Sequence, residues 1–201
     1  MKFSPLACDL NESGDPSPKL LGEIAGGLIL RSAGEDLSRE GLLRTPQRFA
    51  KAMEELSSGY RSTPAEVVGN GVFSAEGAGL VSVREVEFYS LCEHHMLPFW
   101  GKASVAYYPN KKIIGLSKIP RLLDLYARRF QVQERLTEQV AQSLMALLTP
   151  RAVAVRITAE HMCMMMRGVK KQNSSTTTEF SLGLHQLNPG ETDRLWKSIE
   201  G

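Results

Sequence analysis

Residues 80–91 read LVSVREVEFYSL. Apolar and polar side chains alternate there with the period of two expected of a strand that buries one face. The chain before this point is helical in texture, so this stretch decides the fold class. The segment 101–109 (GKASVAYYP) alternates again, 151–161 (RAVAVRITAEH) does so once more, and the Ser/Thr-rich 174–184 makes a fourth strand. Between the second and third strands, Ser117 to about Arg129 reads as a helix with Pro120 in its first turn. Val132, Leu136, Val140, Leu144 and Leu148 then form one stripe of an amphipathic helix. The order β-β-α-α-β-β predicts an α+β domain over 80–201: an antiparallel four-stranded sheet with a helix pair on one face.

Upstream, 1–79 reads as an N-terminal arm and helical segment. Residues 1–18 are polar and rich in Pro, Ser, Gly and Asp, a loosely ordered composition. Residues 19–34 carry apolar side chains at helical spacing. A second helix follows Gly41, with Thr45 as N-cap and Pro46 at its first position, and 61–79 serve as a connection rich in Gly, Pro and Ser.

With 201 residues, 42% hydrophobic and 23% charged, the chain can bury a sizeable core. A net charge of +2 excludes nucleic acid and membrane surfaces as partners on general electrostatics, so anion binding must come from local clusters. The three cysteines, Cys8, Cys92 and Cys163, are too sparse for a disulfide scaffold and fit a reducing compartment. The first residues lack the apolar core of a signal peptide, and no run approaches transmembrane length. A cytoplasmic protein is expected.

Directly after the first strand comes CEHH, 92–95. Cys92 and His95 stand in Cys-x-x-His order, which lets a chain bending after a strand fold both donors onto one ion. A third donor is available in His161-Met162-Cys163 if that run continues as a strand, where residues two apart share a face. Cys92, His95 and Cys163 would then give a Cys2His set with one open position, suited to zinc, leaving His94 and His161 for proton transfer. The alternative is that a cysteine in HMCMMM is a small buried hydrophobe; spacing alone leaves both open.

Further candidates lie nearby. Lys118 and Arg121 share one side of a helix start marked by Ser117, where cations oppose the helix dipole and make sense if an anion binds; solvated surface cations explain them equally. Arg167, Lys170 and Lys171 add positive charge after HMCMMM, and Arg48 is another candidate. Glu134 either compensates a helix dipole or accepts two N–H donors, as a carboxylate does from a guanine edge.

Taken together, CEHH (92–95), GLSKIPR (115–121), QVQERLT (131–137), HMCMMMRGV (161–169) and KQNSSTTT (171–178) closely resemble the GTP cyclohydrolase I family, continuously from about Thr45 to Gly183. The resemblance implies the tunnelling fold and zinc, one ion per subunit, on Cys92, His95 and Cys163. It implies catalytic roles for His94, His161 and Ser117. Glu134, with Gln133 beside it, would anchor the guanine of GTP; Lys118, Arg121, Arg167, Lys171 and, from across a subunit boundary, Arg48 would contact ribose and triphosphate. It further implies a homo-oligomer, typically a decamer, with sites between subunits, and the first step of tetrahydrofolate or pterin synthesis. Two rivals stand against this. One is a deazaguanine nitrile reductase of the same fold, which needs a nucleophilic cysteine rather than zinc. The other is a structural zinc protein, which would present four ligands where three are counted.

Overall fold

The structure is a computed structural model and describes residues 15–77 and 79–200. Its contacts divide it between Ser57 and Ser58. The N-terminal unit contains the two expected helices, α1 (Pro18–Ser32) and α2 (Thr45–Leu56). Their approach depends on glycine: a Cβ on Gly22 would stand 2.9 Å from that of Ala50, and one on Gly26 would stand 3.0 Å from the Phe49 ring. Thr45 is not the N-cap. Arg44 takes that position, and Thr45 is already helical, its hydroxyl donating back to the Gly41 carbonyl (3.3 Å). The first fourteen residues, including Cys8 and most of the polar arm, lie outside the described residues.

Residues 58–77 group with the sheet rather than with the N-terminal helices. They are not a plain connection either. They hold a 3-10 turn (Ser58–Arg61), α3 (Pro64–Val68) and β1 (Val72–Ser74). Helix α3 forms because Thr63 and Glu66 cap it reciprocally: the Thr63 hydroxyl accepts from the Glu66 N–H (3.3 Å), and the Glu66 carboxylate accepts from the Thr63 N–H (2.8 Å).

The four expected strands form as β2 (Val81–Cys92), β3 (Pro98–Tyr108), β6 (Ala152–His161) and β7 (Thr176–Leu182), mutually antiparallel. Short β4 (Lys112–Ile114) pairs with β1 apart from them. The main sheet has five strands, because the two residues of β5 (Phe130–Gln131) add parallel to β2, giving the order β5-β2-β3-β6-β7. Strand β2 carries a bulge between Val83 and Val86, where Glu85 takes φ +57°. The sequence marks it with two successive polar residues, Arg84-Glu85, which shift the alternation by one.

Helices α4 (Lys118–Ala127) and α5 (Gln133–Leu148) cover one sheet face. Leu122, Leu136, Val140, Leu144 and Leu148 meet Phe88, Phe99, Val105, Val155 and Ile157 in the core, at about 1.5–3 kcal/mol for each large apolar side chain buried. The opposite face is not bare. Leu195 of α7 (Pro189–Lys197) and Ile199 just beyond it cover Ala106, Tyr108, Ala152 and Ala154, a cover additional to the expected helix pair. No helix among the described residues is long and apolar enough to cross a membrane.

Candidate metal centre

Strand register decides which segments meet. Phe99 near the start of β3 pairs with His161 at the end of β6. The turn joining β2 to β3 and the chain leaving β6 therefore emerge at the same end of the sheet. In that turn the Cys92 N–H donates to the Leu97 carbonyl (2.9 Å) and the Met96 N–H to the Cys92 carbonyl (2.8 Å), with Met96 at φ +55°. This closure folds His95 back over Cys92. Beyond β6 the strand expected through HMCMMM stops at His161, and Met162–Met165 form one helical turn, α6. His161 and Cys163 therefore do not share a strand face. Helical curl, not pleat, carries Cys163 to the site.

The donor atoms of Cys92, His95 and Cys163 all lie within 4.8 Å of one another. Around a tetrahedral zinc such donors stand about 3.5–3.8 Å apart, from bond lengths of roughly 2.3 Å to sulfur and 2.0–2.1 Å to nitrogen; the cluster needs only a small contraction to close on an ion. The donor chemistry fits as well: two thiols and an imidazole, leaving an open position. Burial, and then the neighbouring Cys92 sulfur, push the Cys163 thiol above its ordinary pKa, with Arg167 opposing. A divalent cation would have the reverse effect, holding both sulfurs as thiolates. His94 also places Nδ1 4.0 Å from Cys92 Sγ, as His95 does, but His94 is not part of the three-donor group.

Glu93 is tied to Arg135 through a short carboxylate–guanidinium contact, which holds its carboxyl below the usual range. Arg135 also donates to Gln131 Oε1 (3.0 Å) and the Phe130 carbonyl (3.1 Å), and the Glu93 N–H donates to the Gln131 carbonyl (3.0 Å). The two-residue strand β5 thereby pins the turn that carries Cys92 and His95. Sequence reasoning missed Arg135 because its partner lies 42 residues away.

His161 stacks on Phe99, with ring centroids 4.7 Å apart and planes 3° from parallel. Burial lowers its pKa, with the Glu134 charge opposing. Gln133, expected beside the guanine, is buried with its amide fully engaged: Nε2 donates to the Ile157 and Thr176 carbonyls (3.0 and 2.9 Å) and to Thr178 Oγ1 (3.2 Å), while Oε1 lies 2.8 Å from His161 Nε2. Glu134, on the same helical turn, is exposed.

Ser117 stands at the start of α4, exposed, with no side-chain capping bond. Lys118 donates to the Val67 carbonyl at 3.5 Å. Arg121, Arg167 and Lys171 are exposed and make no side-chain hydrogen bond among the described residues. Arg48 belongs to the N-terminal unit, on α2.

An α+β protein with three Cys and His donors that could hold a metal ion, and further imidazoles beside them, has the donor set of a metal-assisted hydrolase. The chain belongs to the GTP cyclohydrolase I family, whose model matches residues 24–200. It is similar to the GTP cyclohydrolase 1 of Deinococcus radiodurans, with 55% identity over 86% of this chain and 80% of that one. It is also similar to that of Leptospira biflexa, at 55% over 80% and 88%, and that of Chlorobaculum tepidum, at 50% over 88% and 81%. A solved structure, the archaeosine synthase QueF-Like in the apo form, shares 17% identity at a TM-score of 0.46 over 54% of this chain and 97% of that one, too slight a likeness to bear on the chemistry.

Proposed function

We propose that this enzyme holds one zinc ion per subunit on Cys92, His95 and Cys163. In this reading it opens the imidazole ring of GTP at C8, converting GTP and water to formate and 7,8-dihydroneopterin triphosphate. The observation that carries the reading is the convergence of those three donors beside His161, in a chain of the GTP cyclohydrolase I family. Bound zinc supplies a nucleophilic water by lowering its pKa to about 7.

The chain's own residues do the rest. The Glu134 carboxylate accepts N–H donors of the guanine edge and so turns C8 toward the cluster, a positioning effect. His161 exchanges a proton with the purine ring as it opens. His94 and the uncapped Ser117 hydroxyl handle protons near the ribose. Lys118, Arg121, Arg167 and Lys171 hold the triphosphate, and binding energy far from the reacting carbon serves orientation. Arg48 joins them from a neighbouring subunit of a tunnelling-fold homo-oligomer, a decamer with its sites between subunits. Gln133 stands beside Glu134 with its side-chain amide turned inward, toward His161 and the Ile157 and Thr176 carbonyls.

Formate release from GTP tests the proposal. Chelator-stripped protein is expected to be silent and to recover with one zinc per subunit. Full turnover without metal would overturn the zinc assignment, and no formate at any zinc loading would overturn the reaction.

A further inference from the structure

We infer that Gln133 is a positioning residue that locks His161 in one tautomer, with hydrogen on Nε2 and Nδ1 as the nitrogen that exchanges protons with substrate. The amide orientation follows from its neighbours. Gln133 Nε2 sits against the carbonyl oxygens of Ile157 (3.0 Å) and Thr176 (2.9 Å), which can only accept. Flipping the amide would set its oxygen against both. Oε1 therefore faces His161 Nε2 at 2.8 Å, and because an amide oxygen only accepts, Nε2 must carry the hydrogen. A neutral imidazole holds one N–H, so Nδ1 keeps its lone pair, and it has no hydrogen-bond partner among the described residues.

One further contact, and the cost of breaking the first, keep the ring from turning. Phe99 lies flat against it at 4.7 Å. Turning the imidazole over would bring Cε1 instead of Nε2 to the amide oxygen, leaving that oxygen unsatisfied at a site where Gln133 is 2% exposed. The lock is braced from below: the Thr137 hydroxyl donates to the Gln133 carbonyl (2.7 Å) and lies 2.6 Å from Thr178 Oγ1, which itself accepts from the Gln133 amide (3.2 Å). Gln133 and Glu134 open the same helix, so one turn of α5 both presents the guanine acceptor and fixes the imidazole.

This inference rests on the reading of His161 as a proton carrier, but the tautomer can be read without turnover. In zinc-loaded protein labelled with 15N-histidine, Nε2 couples to both ring C–H protons and Nδ1 strongly to only one. The His161 signals are identified by their loss in His161→Phe. Wild-type protein with neutral imidazole is expected to show hydrogen on Nε2 alone. Gln133→Met should show mixed tautomers, unchanged zinc content and GTP affinity, and kcat lower by roughly 10- to 100-fold, part of the 10²–10⁴ that a positioned acid–base group contributes. Ser143→Ala removes a buried hydroxyl contact between α5 and Tyr126 without touching Gln133, its brace or the imidazole, and should keep the wild-type tautomer and kcat.

Mixed tautomers or Nδ1–H in the wild type would overturn the lock, and that spectrum needs no Gln133 variant to fold. Weakened GTP binding at unchanged kcat in Gln133→Met would make Gln133 a substrate contact instead. An equal loss of kcat in Ser143→Ala would reduce the effect to packing. A shifted tautomer with intact kcat would overturn both the positioning role and the reading of His161 as proton carrier.

Discussion

His94 and His95 are adjacent, both exposed, and both hold Nδ1 4.0 Å from the Cys92 sulfur. Only His95 also reaches Cys163 within the 4.8 Å cluster. Replacing each in turn by alanine therefore tests the geometry on a pair that sequence spacing barely separates. Four-ligand structural zinc sites bind with about 10–16 kcal/mol, or roughly 2.5–4 kcal/mol per donor. At about 1.4 kcal/mol per tenfold, His95→Ala should weaken zinc binding by roughly 10²–10³-fold. His94→Ala removes no donor and should leave zinc affinity where it was while abolishing turnover. Competition against a chromophoric chelator at fixed pH reads both affinities. Because both side chains are exposed, thermal unfolding should barely move in metal-free protein, which separates ligand loss from misfolding. A His94→Ala variant that loses zinc as His95→Ala does, or a His95→Ala variant that keeps wild-type affinity, would refute the assignment.

Other expectations concern the substrate, the core and the C-terminal helix. Glu134→Gln should weaken GTP binding by about 10- to 100-fold, the loss of hydrogen bonds to a charged acceptor, without altering zinc content; unchanged affinity would leave Glu134 as helix-dipole compensation only. Leu144, fully buried between α5 and the sheet, should lower urea stability by about 2–5 kcal/mol on change to alanine, and a shift under about 1 kcal/mol would contradict that packing. Glu191 accepts from Arg151 at 2.8 and 2.9 Å and from the Asn188 N–H at 3.0 Å, which holds its carboxyl below the usual glutamate range. A depressed folded pKa means the contribution is complete above about 4.5 and is lost as pH falls through the lower folded value. Trp196 fluorescence in a Trp100→Phe background should therefore report loosening of α7 in acid, and an identical acid response in Glu191→Gln would count against that linkage.

Much of this architecture is written locally in the chain. The alternation in LVSVREVEFYSL and the stripe Leu136, Val140, Leu144, Leu148 are direct consequences of one-sided burial, and the corresponding β2 and α5 form within a residue or two of their expected bounds. The bulge at Glu85, the Thr63–Glu66 cap of α3 and the Asn188–Glu191 cap of α7 are local signals too, visible as shifted alternation and Thr/Asn-x-x-Glu spacing, but apolar patterning passes over them. What the chain hides is nonlocal. HMCMMM has no turn residue to end its strand, so the helical turn at Cys163 could not be read from it. Two residues of β5 are too short to show a period. The partners of Glu93 and of Gln133 lie 42 and 24–45 residues away, where only the folded register brings them together. For the same reason, the side chain of Gln133, which the family resemblance sets beside the guanine, faces inward, toward His161.

The dependence of GTP hydrolysis on metal held by Cys92, His95 and Cys163 is open to direct measurement. Its most direct test titrates zinc into stripped wild-type and Cys163→Ser protein, measuring bound zinc and formate release on the same samples. Wild-type formate release should rise in proportion to bound zinc and level off at one ion per subunit, while Cys163→Ser should retain no zinc after dialysis and release no formate. A Cys163→Ser protein with full zinc and wild-type turnover would contradict the account.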